Sequence, residues 1–555
     1  MKPIIHRPDE RLVRRTIEKG EERKWVLDTE TSGLDVIGQD APHTAFYIGI
    51  MPIGSPHVFV ITREEFEEWD LRPLFNKVSW IGHNLRFDLH ALDLDPVTPW
   101  VDTMTAAYFA HTTGRRSMDH IARMYGWPKI PTPEALKKGR ILEIPEDELC
   151  AYLADDCMIT GKMYERLQVD RAKFDYLVDG AVYRMERRGV RLIPERLNAV
   201  KESLDARIHE SEGGLIDYGW VGNLNSSQQV GKWLLERGVK LPYSPTGKPS
   251  TSKLVLQGLA DEGEPLAQML MDWRKLMKLK TSFIDPLPKL AQNNMLYPKT
   301  NTTRTATGRF SCDTPNLQQI PKRGPLGKAI RGCLTSAGTR GVTACDFSQV
   351  ELRVAAAFAE EPVLLDAFKQ GRCPHTEVAA KMLGKRPDDI TPEERYKAKA
   401  VNFGILNGMG AKRLALELKS DKSEATRFLD EYKRNLSSLN DWMEGVWRKA
   451  ESYQIARTVA GRTRIFSRAE DTRPAISVIV QGSGTELMRH SLVAVDEVGL
   501  EPMLSVHDEI LVGGTDRPEE LREVMEKAAD NAYRDAFSAV QFTASATIGE
   551  TWGDV

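Results

Sequence analysis

The sequence has no apolar run near the roughly 18 residues of a membrane-spanning helix. No membrane partner is therefore expected. It has no C-x-x-C pair, and its six cysteines are scattered. That argues against a zinc ribbon and a disulfide framework, and for a reducing compartment. It lacks an excess of charge of either sign: the net charge is −3. Composition alone therefore announces no nucleic-acid partner, although a near-neutral chain holding metal-binding acids can still carry a basic channel. No internal repeat and no low-complexity tract is visible. The start, "MKPIIHRPDE", has no long apolar core behind its lysine, so no secretory leader is expected. The expected location is the cytoplasm, or the host cytoplasm if the source is viral.

What is present is an ordinary globular composition, 41% hydrophobic and 28% charged over 555 residues. That length predicts about three or four folding units. Residues 25–28, "WVLD", read as a buried strand, and 45–61 as strand with a Pro/Gly turn in its middle. Helical patterns follow to about residue 165, which together predict one α/β or α+β domain. The stretch 175–290 is mostly helical, and 296–335, rich in Thr, Gly, Pro and Asn, should be largely loops. A strand is expected at 342–347, helices over about 361–452, and a final α/β region to the end. Basic clusters occur at 273–280, 304–310 and 395–403.

Acids first gather in "VLDTETSGLD". Asp28 and Glu30 lie two apart on a strand and so share a face. "GHNLRFDLHAL" supplies Asp88, and "YLADDCMIT" supplies Tyr152 and Asp156 at i and i+4 on one helix face. Asp155 lies off that face. Four converging carboxylates repel one another unless divalent cations neutralise them, and oxygen-only ligands favour Mg²⁺ or Mn²⁺. Two such ions about 4 Å apart suit attack of water on a phosphodiester, with Tyr152 orienting or helping to deprotonate that water. The bland alternative is a strand-end cap and solvated surface acids. The three spacings in this order resemble the tyrosine-containing subgroup of DEDD 3′–5′ exonucleases, over roughly residues 22–166.

A second group spans the rest of the chain. "SVHDEILV" sets His507, Asp508 and Glu509 inside an apolar strand pattern, and "TACDFSQVELR" sets Asp346 after a short strand with Glu351 five residues on. Buried acids are costly unless paired, so Asp346 and Asp508 make a second two-metal site if the fold brings them together. Between them, Arg395, Lys399 and Phe403 recur every four residues in "RYKAKAVNFGILNGMG". On a helix they make one face with slow drift, two cations and then a ring. That suits a triphosphate with its base stacked on the ring; a solvated basic face with Phe403 as a core anchor is the plain alternative.

"DFSQVELR", "RYKAKAVNFG" and "VHDE" resemble the catalytic motifs of the family A DNA polymerases, the class of the bacterial repair polymerase and many phage replicases. The resemblance extends in order through "RRGVRLI", "NLNSSQQV", "WRKLMKLKTSF", "TATGRFSCDTPNLQQIP" and "GETWGD". It implies an α/β multidomain fold: a ribonuclease H-like exonuclease domain over 1–166, then a right-hand polymerase domain over 167–555. The thumb would cover about 180–290, the palm about 291–360 and 453–555, and the fingers about 361–452. It implies two Mg²⁺ ions per active site, with Mn²⁺ able to substitute. The implied partners are primer–template DNA, deoxynucleoside triphosphates and single-stranded 3′ ends; replisome partners stay unassigned.

By the same resemblance, Asp346 and Asp508 would hold the ions, with Glu509 as a third acid. Arg395, Lys399 and His375 would contact the phosphates, and Phe403 would pack on the nucleotide. Glu351 would fill the space of a ribose 2′-hydroxyl. Phe403 lacks a phenol oxygen, which implies discrimination against dideoxynucleotides. Arg309, Arg473, Gln481 and His507 match positions near the primer–template minor groove, where acceptors look alike for every correct pair. Three departures stand out: Asn407 where the family has Tyr, Cys373-Pro374 before His375, and Ser477 where Asn is frequent. About 24 residues precede the first strand, which leaves no room for a 5′ nuclease domain and suggests a compact replicase of phage type. The competing readings are a processing 3′–5′ exonuclease whose C-terminal part only binds nucleic acid, and a single-subunit RNA polymerase, which Glu351 disfavours.

Overall fold

The computed structural model describes residues 2–19, 24–38, 41, 43–95, 100–244, 247–338, 341–418, 420–468 and 471–555. The chain forms two compact units. One comprises Met1–Gly189, Tyr297–Gln318 and Gly338–Ile548; the other comprises Val190–Leu296, Gln319–Ala337 and Gly549–Val555. Among the described residues no helix is long and apolar enough to cross a membrane.

In the first unit six strands form one mixed sheet: β1 (Ile4–His6), β2 (Trp25–Thr31), β3 (Ala45–Pro52), β4 (His57–Thr62), β5 (Trp80–Gly82) and β6 (Val101–Asp102), in the order β1-β4-β3-β2-β5-β6. The central β2 is buried at every position but Asp28, which is half-buried. A strand covered on both faces needs no polar alternation, which is why "WVL" runs without a break. Helix α1 (Leu85–Ala91) is capped from outside: the Asp102 carboxylate accepts from the backbone N–H groups of Asn84 and Leu85 at 3.0 and 2.9 Å. That supplies the partner an N-cap side chain would normally give.

Helix α2 (Glu146–Arg166) begins with Glu146, Asp147 and Glu148, acids that suit the positive end of a helix. Its approach to the sheet depends on Gly49, which pairs with Asp28 in the β2–β3 register. A Cβ at Gly49 would lie 2.9 Å from Cys157 Sγ and 3.0 Å from Leu153 Cγ. Any larger residue there would push α2 away from β2. Helix α3 (Lys173–Arg188) follows.

Later in the same unit come β7 (Val342–Phe347), α4 (Val350–Ala359), α5 (Pro374–Leu383), α6 (Pro392–Leu406), α7 (Ala475–Glu497), β8 (Pro502–Val506), β9 (Glu509–Gly513) and β10 (Ala544–Gly549). The four strands form a second sheet in the order β8-β9-β7-β10. Val350, Leu352 and Ala355 of α4 share one core with Ile476, Val480 and Leu487 of α7 and with Ile510 of β9. Helix α6 starts with proline at its first position and a reciprocal capping box, Thr391 with Glu394.

A buried ion network ties α3 to α7. Asp175 accepts from Arg462 and Arg489, each at 2.7 Å, and Glu486 accepts from Arg462 Nε at 2.9 Å. The Arg462 guanidinium also lies over the rings of Tyr108 and Phe109, at 5.2 and 5.1 Å. Arg489 donates to the carbonyls of Thr302 and Gly308.

The second unit is mostly helical. Helices Pro194–Asp217 and Pro265–Leu279 meet where Trp273 Nε1 donates to Glu212 at 3.0 Å. A small sheet orders Leu334–Thr335, Val190–Leu192 and Met295–Leu296 side by side.

Candidate active sites

The first candidate site lies where β2, α1 and α2 meet. Asp28, Glu30 and Asp156 each offer a carboxylate oxygen, all within 4.8 Å of one another. Strand alternation directs Asp28 and Glu30 to one side, and α2 presents Asp156 there with Tyr152 one turn before it. Asp88, on α1, is outside that trio of converging oxygens; it accepts from Thr29 Oγ1 at 2.7 Å, and its charge acts on Asp28.

Glu30, Asp88, Asp156 and Tyr152 are all buried, and the electrostatics follow. Burial raises Asp28 well above the ordinary carboxylate range, and the charges of Asp88, Asp156 and Glu30 raise it further. Glu30 rises for the same reasons, burial first and then Asp156 and Asp88. Asp88 is pushed up to about 8, chiefly by burial, against the pull of the Thr29 hydrogen bond. Asp156 is pushed up to about 6 by burial, with Lys129 pulling the other way. Burial and then Asp156 raise the Tyr152 phenol, so it stays protonated. Packed acids that resist ionisation, with oxygen-only donors, are the chemistry a divalent cation relieves. The residues present fit such an ion.

The second candidate site is the end of the β8-β9-β7 sheet. Asp346 stands opposite Glu509 in the β7–β9 register. Directly opposed residues point to the same face, so these two carboxyls share one. Val506 pairs with Glu509, leaving His507 and Asp508 as a two-residue turn, with His507 at φ 57°. The Phe347 N–H donates to the Asp508 carbonyl at 3.0 Å. The chain thus brings Asp346, Asp508 and Glu509 to one sheet end from widely separated positions. Glu351, in the first turn of α4, is buried and ion-paired with Arg309. Burial raises its carboxyl, Arg309 opposes, and Asp508 adds to the rise.

Arg395, Lys399 and Phe403 lie along α6. Lys399 Nζ is 5.8 Å from the centroid of the Phe403 ring, and the His375 ring is 5.6 Å from it. Burial, then Lys399 and Arg395, lower the His375 imidazole to about 4, so it is neutral. Its Nδ1 lies 2.8 Å from the amide nitrogen of Asn402. Arg395 Nε donates to Cys373 Sγ at 3.3 Å.

Asn407 follows α6, donates to the Phe403 carbonyl at 2.8 Å, and accepts from Gln481 Nε2 of α7 at 2.6 Å. The departure from the family ring therefore replaces a stacking surface with a hydrogen bond to Gln481. Arg473 is exposed and pairs with Asp471 at 2.6 Å.

Sequence reasoning missed Lys129. Its Nζ is 2.7 Å from Asp156 and 4.6 Å from the Tyr152 ring centroid. It missed Thr29 and the Arg309–Glu351 pair as well. Thr29 alternates to the strand face opposite the two acids, and Lys129 lies in a Pro-flanked loop, so neither carried a signal.

The model of DNA polymerase family A matches residues 194–554, and that of a 3′–5′ exonuclease matches residues 8–170. The thermostable DNA polymerase I of Thermus thermophilus is 31% identical over 484 residues, covering 83% of this chain and 56% of that protein. DNA polymerase I of Borreliella burgdorferi is 28% identical over 581 residues, covering 97% and 63%. The chain thus spans less than two thirds of the length of these curated relatives. A solved structure, the polymerase domain of Pol1 from M. smegmatis in complex with DNA primer-template and dNTP, matches in fold with a TM-score of 0.84 at 21% identity, covering 99% of this chain and 100% of that one. The fold is thus α/β and multidomain, an exonuclease domain followed by a polymerase domain, and with the first of these family matches covering more than half of its length, the chain belongs to DNA polymerase family A.

Proposed function

We propose that this chain extends a primer 3′ end with deoxynucleotides chosen by a template, and removes mispaired 3′ ends at a second site. One observation carries the reading: two acid groups on different sheets, Asp346 with Glu509 beside Asp508, and Asp28 with Glu30 and Asp156. A nuclease with a merely binding C-terminal part would need only the second group. The Pol1 domain solved with primer-template and dNTP supports the same partners here. We assign the exonuclease to residues 1–166, the thumb to about 180–290, the palm to about 291–360 and 453–555, and the fingers to about 361–452.

Asp346 and Asp508 would hold Mg²⁺ at the polymerase site with Glu509 as a third acid, and Asp28, Glu30, Asp88 and Asp156 would hold it at the nuclease site; Mn²⁺ suits the same oxygens. Bound in pairs, such ions supply positive charge to the reacting phosphate and make the attacking hydroxyl or water more acidic. The rest falls to the chain's own side chains. Arg395 and Lys399 bind the triphosphate and offset the charge that develops in transfer. Neutral His375 contributes a hydrogen bond and not a charge. Phe403 packs on the nucleotide.

Glu351, held by Arg309, excludes a ribose 2′-hydroxyl. Gln481 and His507, with Arg309 and Arg473, face the primer–template. The Gln481 amide already donates to Asn407, so reaching a minor-groove acceptor exchanges one hydrogen bond for another. In the nuclease site the protonated Tyr152 orients the attacking water and does not take its proton.

The test is primer extension and mismatch excision on the purified chain, alongside Asp346→Ala and Asp28→Ala. Loss of extension alone in the first and of excision alone in the second is expected; extension at the original rate in Asp346→Ala removes the assignment. The finer reading, a phage-type replicase, is checked by product length on singly primed circular DNA under a trap for released enzyme. Short, distributive products would rule it out.

A further inference from the structure

Lys129 belongs to none of the elements that carry the nuclease acids. It sits in the loop between helices Met118–Met124 and Glu134–Lys137. Its side chain is only 7% exposed, and its Nζ lies 2.7 Å from one carboxylate oxygen of Asp156 and 3.3 Å from Asp119. The Tyr152 ring centroid is 4.6 Å away. A buried ammonium is expensive without partners, so this placement is specified and not incidental.

The loop is fastened to the same stretch of α2 on either side of that contact. Ile130 N–H donates to Asp155 at 2.7 Å, and Thr132 Oγ1 is 3.2 Å from the Tyr152 hydroxyl. Lys129 is therefore held against Asp156, one of the three acids whose oxygens converge. Asp119, which is half-exposed, offers the ammonium a second seat within a short swing.

We propose that Lys129 is a tethered counter-ion that competes with the divalent cation for Asp156. When the ion binds, the ammonium gives up Asp156 and keeps Asp119. Lys129 is thus a positioning residue that sets how tightly the nuclease site takes its metal. The inference rests on the reading of the Asp28–Glu30–Asp156 group as a metal site. Two cations held against one carboxylate repel each other, so the coupling between them is negative.

The test is Mn²⁺ binding to the full chain carrying Asp346→Asn and Asp508→Asn, which remove both acids proposed to hold the ions of the other group, read from the electron paramagnetic resonance of free Mn²⁺. Lys129→Met should bind Mn²⁺ about 10-fold more tightly. Lys129→Arg, which keeps the charge, should stay near the parent. Asp119→Asn removes the second seat and should weaken binding about 3-fold. A purely structural lysine predicts the opposite sign: Lys129→Met would bind equally or more weakly, and that result overturns the proposal. Adding Asp28→Asn separates the two ideas. If it abolishes one class of bound ion while Lys129→Met fails to tighten it, only the lysine proposal falls. If it leaves all Mn²⁺ binding unchanged, the metal-site reading falls as well.

Discussion

The two acid groups, proposed to serve the same chemistry, are built in opposite ways. The nuclease group is buried, and its carboxyls are raised by lack of water and by one another. Its compensating cation, Lys129, is already in contact. The group of Asp346, Asp508 and Glu509 lies at the end of a sheet, at a hairpin turn, and the cations proposed to serve it stand on a separate helix. There Arg395 is exposed and Lys399 half-buried. The difference concerns where balancing charge resides. A site enclosed by its own domain must neutralise itself as it folds; a site open to a charged substrate can leave cations waiting on another element.

The comparison breaks most visibly by removing an acid of the proposed polymerase site. Asp346→Ala or Asp508→Ala should lower primer extension by about 10³-fold or more, with mismatch excision within about 2-fold of the parent. A gel assay that shows both activities falling together would mean the two groups are one functional site. The reciprocal variant, Asp28→Ala or Asp156→Ala, should lower excision of a mismatched 3′ end by about 10³-fold and spare extension.

Smaller changes sharpen the contrast. Glu351→Ala should raise ribonucleotide incorporation relative to deoxynucleotide by about 10- to 100-fold. Equal use of both sugars by the parent chain would remove the gate. Tyr152→Phe should slow excision about 10-fold without changing its pH profile, as expected for a phenol that orients water.

The smallest effect is on stability. Asp88 and Asp156 have folded-state values of about 8 and about 6, above the ordinary 3.8. A raised carboxyl contributes stability that is complete below the unfolded value and lost as pH climbs through the folded one. In a chelator, melting should therefore fall by about 2 °C or more between pH 5 and pH 8, and Mg²⁺ should restore it at pH 8. The fall should shrink in Asp88→Asn; a melting temperature that rises over that window would contradict the electrostatics of the nuclease group.

Local geometry explains what the sequence could disclose. Asp28 with Glu30, and Tyr152 with Asp156, are legible because strand and helix periods fix which side chains share a face. The strand read at 25–28, which runs on to residue 31, the strand at 342–347 and the helix carrying Arg395, Lys399 and Phe403 are legible for the same reason. The approach of the Asp346 and Asp508 segments has no periodic signature: from the residues it could be written only as a condition on the fold, and the family resemblance supplied the roles. Gly49 looked like any glycine, because its role depends on Cys157 and Leu153 arriving from a distant helix. Lys129 and the Arg309–Glu351 pair were invisible for the same reason: each joins loop and helix through tertiary contact alone. Asn407 was visible as a departure, but its bond to Gln481 was not.

The Asp175–Arg462–Arg489–Glu486 cluster bears on how this chain can be dissected. A fragment beginning at residue 190 would keep both guanidinium groups and lose Asp175, stranding buried positive charge at a cost of about 3–5 kcal/mol. It would also uncover the face of Arg462 that rests on Tyr108 and Phe109. A cut placed after α3 therefore removes a shared keystone, whereas one near residue 167 keeps the four charges together and uncovers only the side of Arg462 that rests on Tyr108 and Phe109.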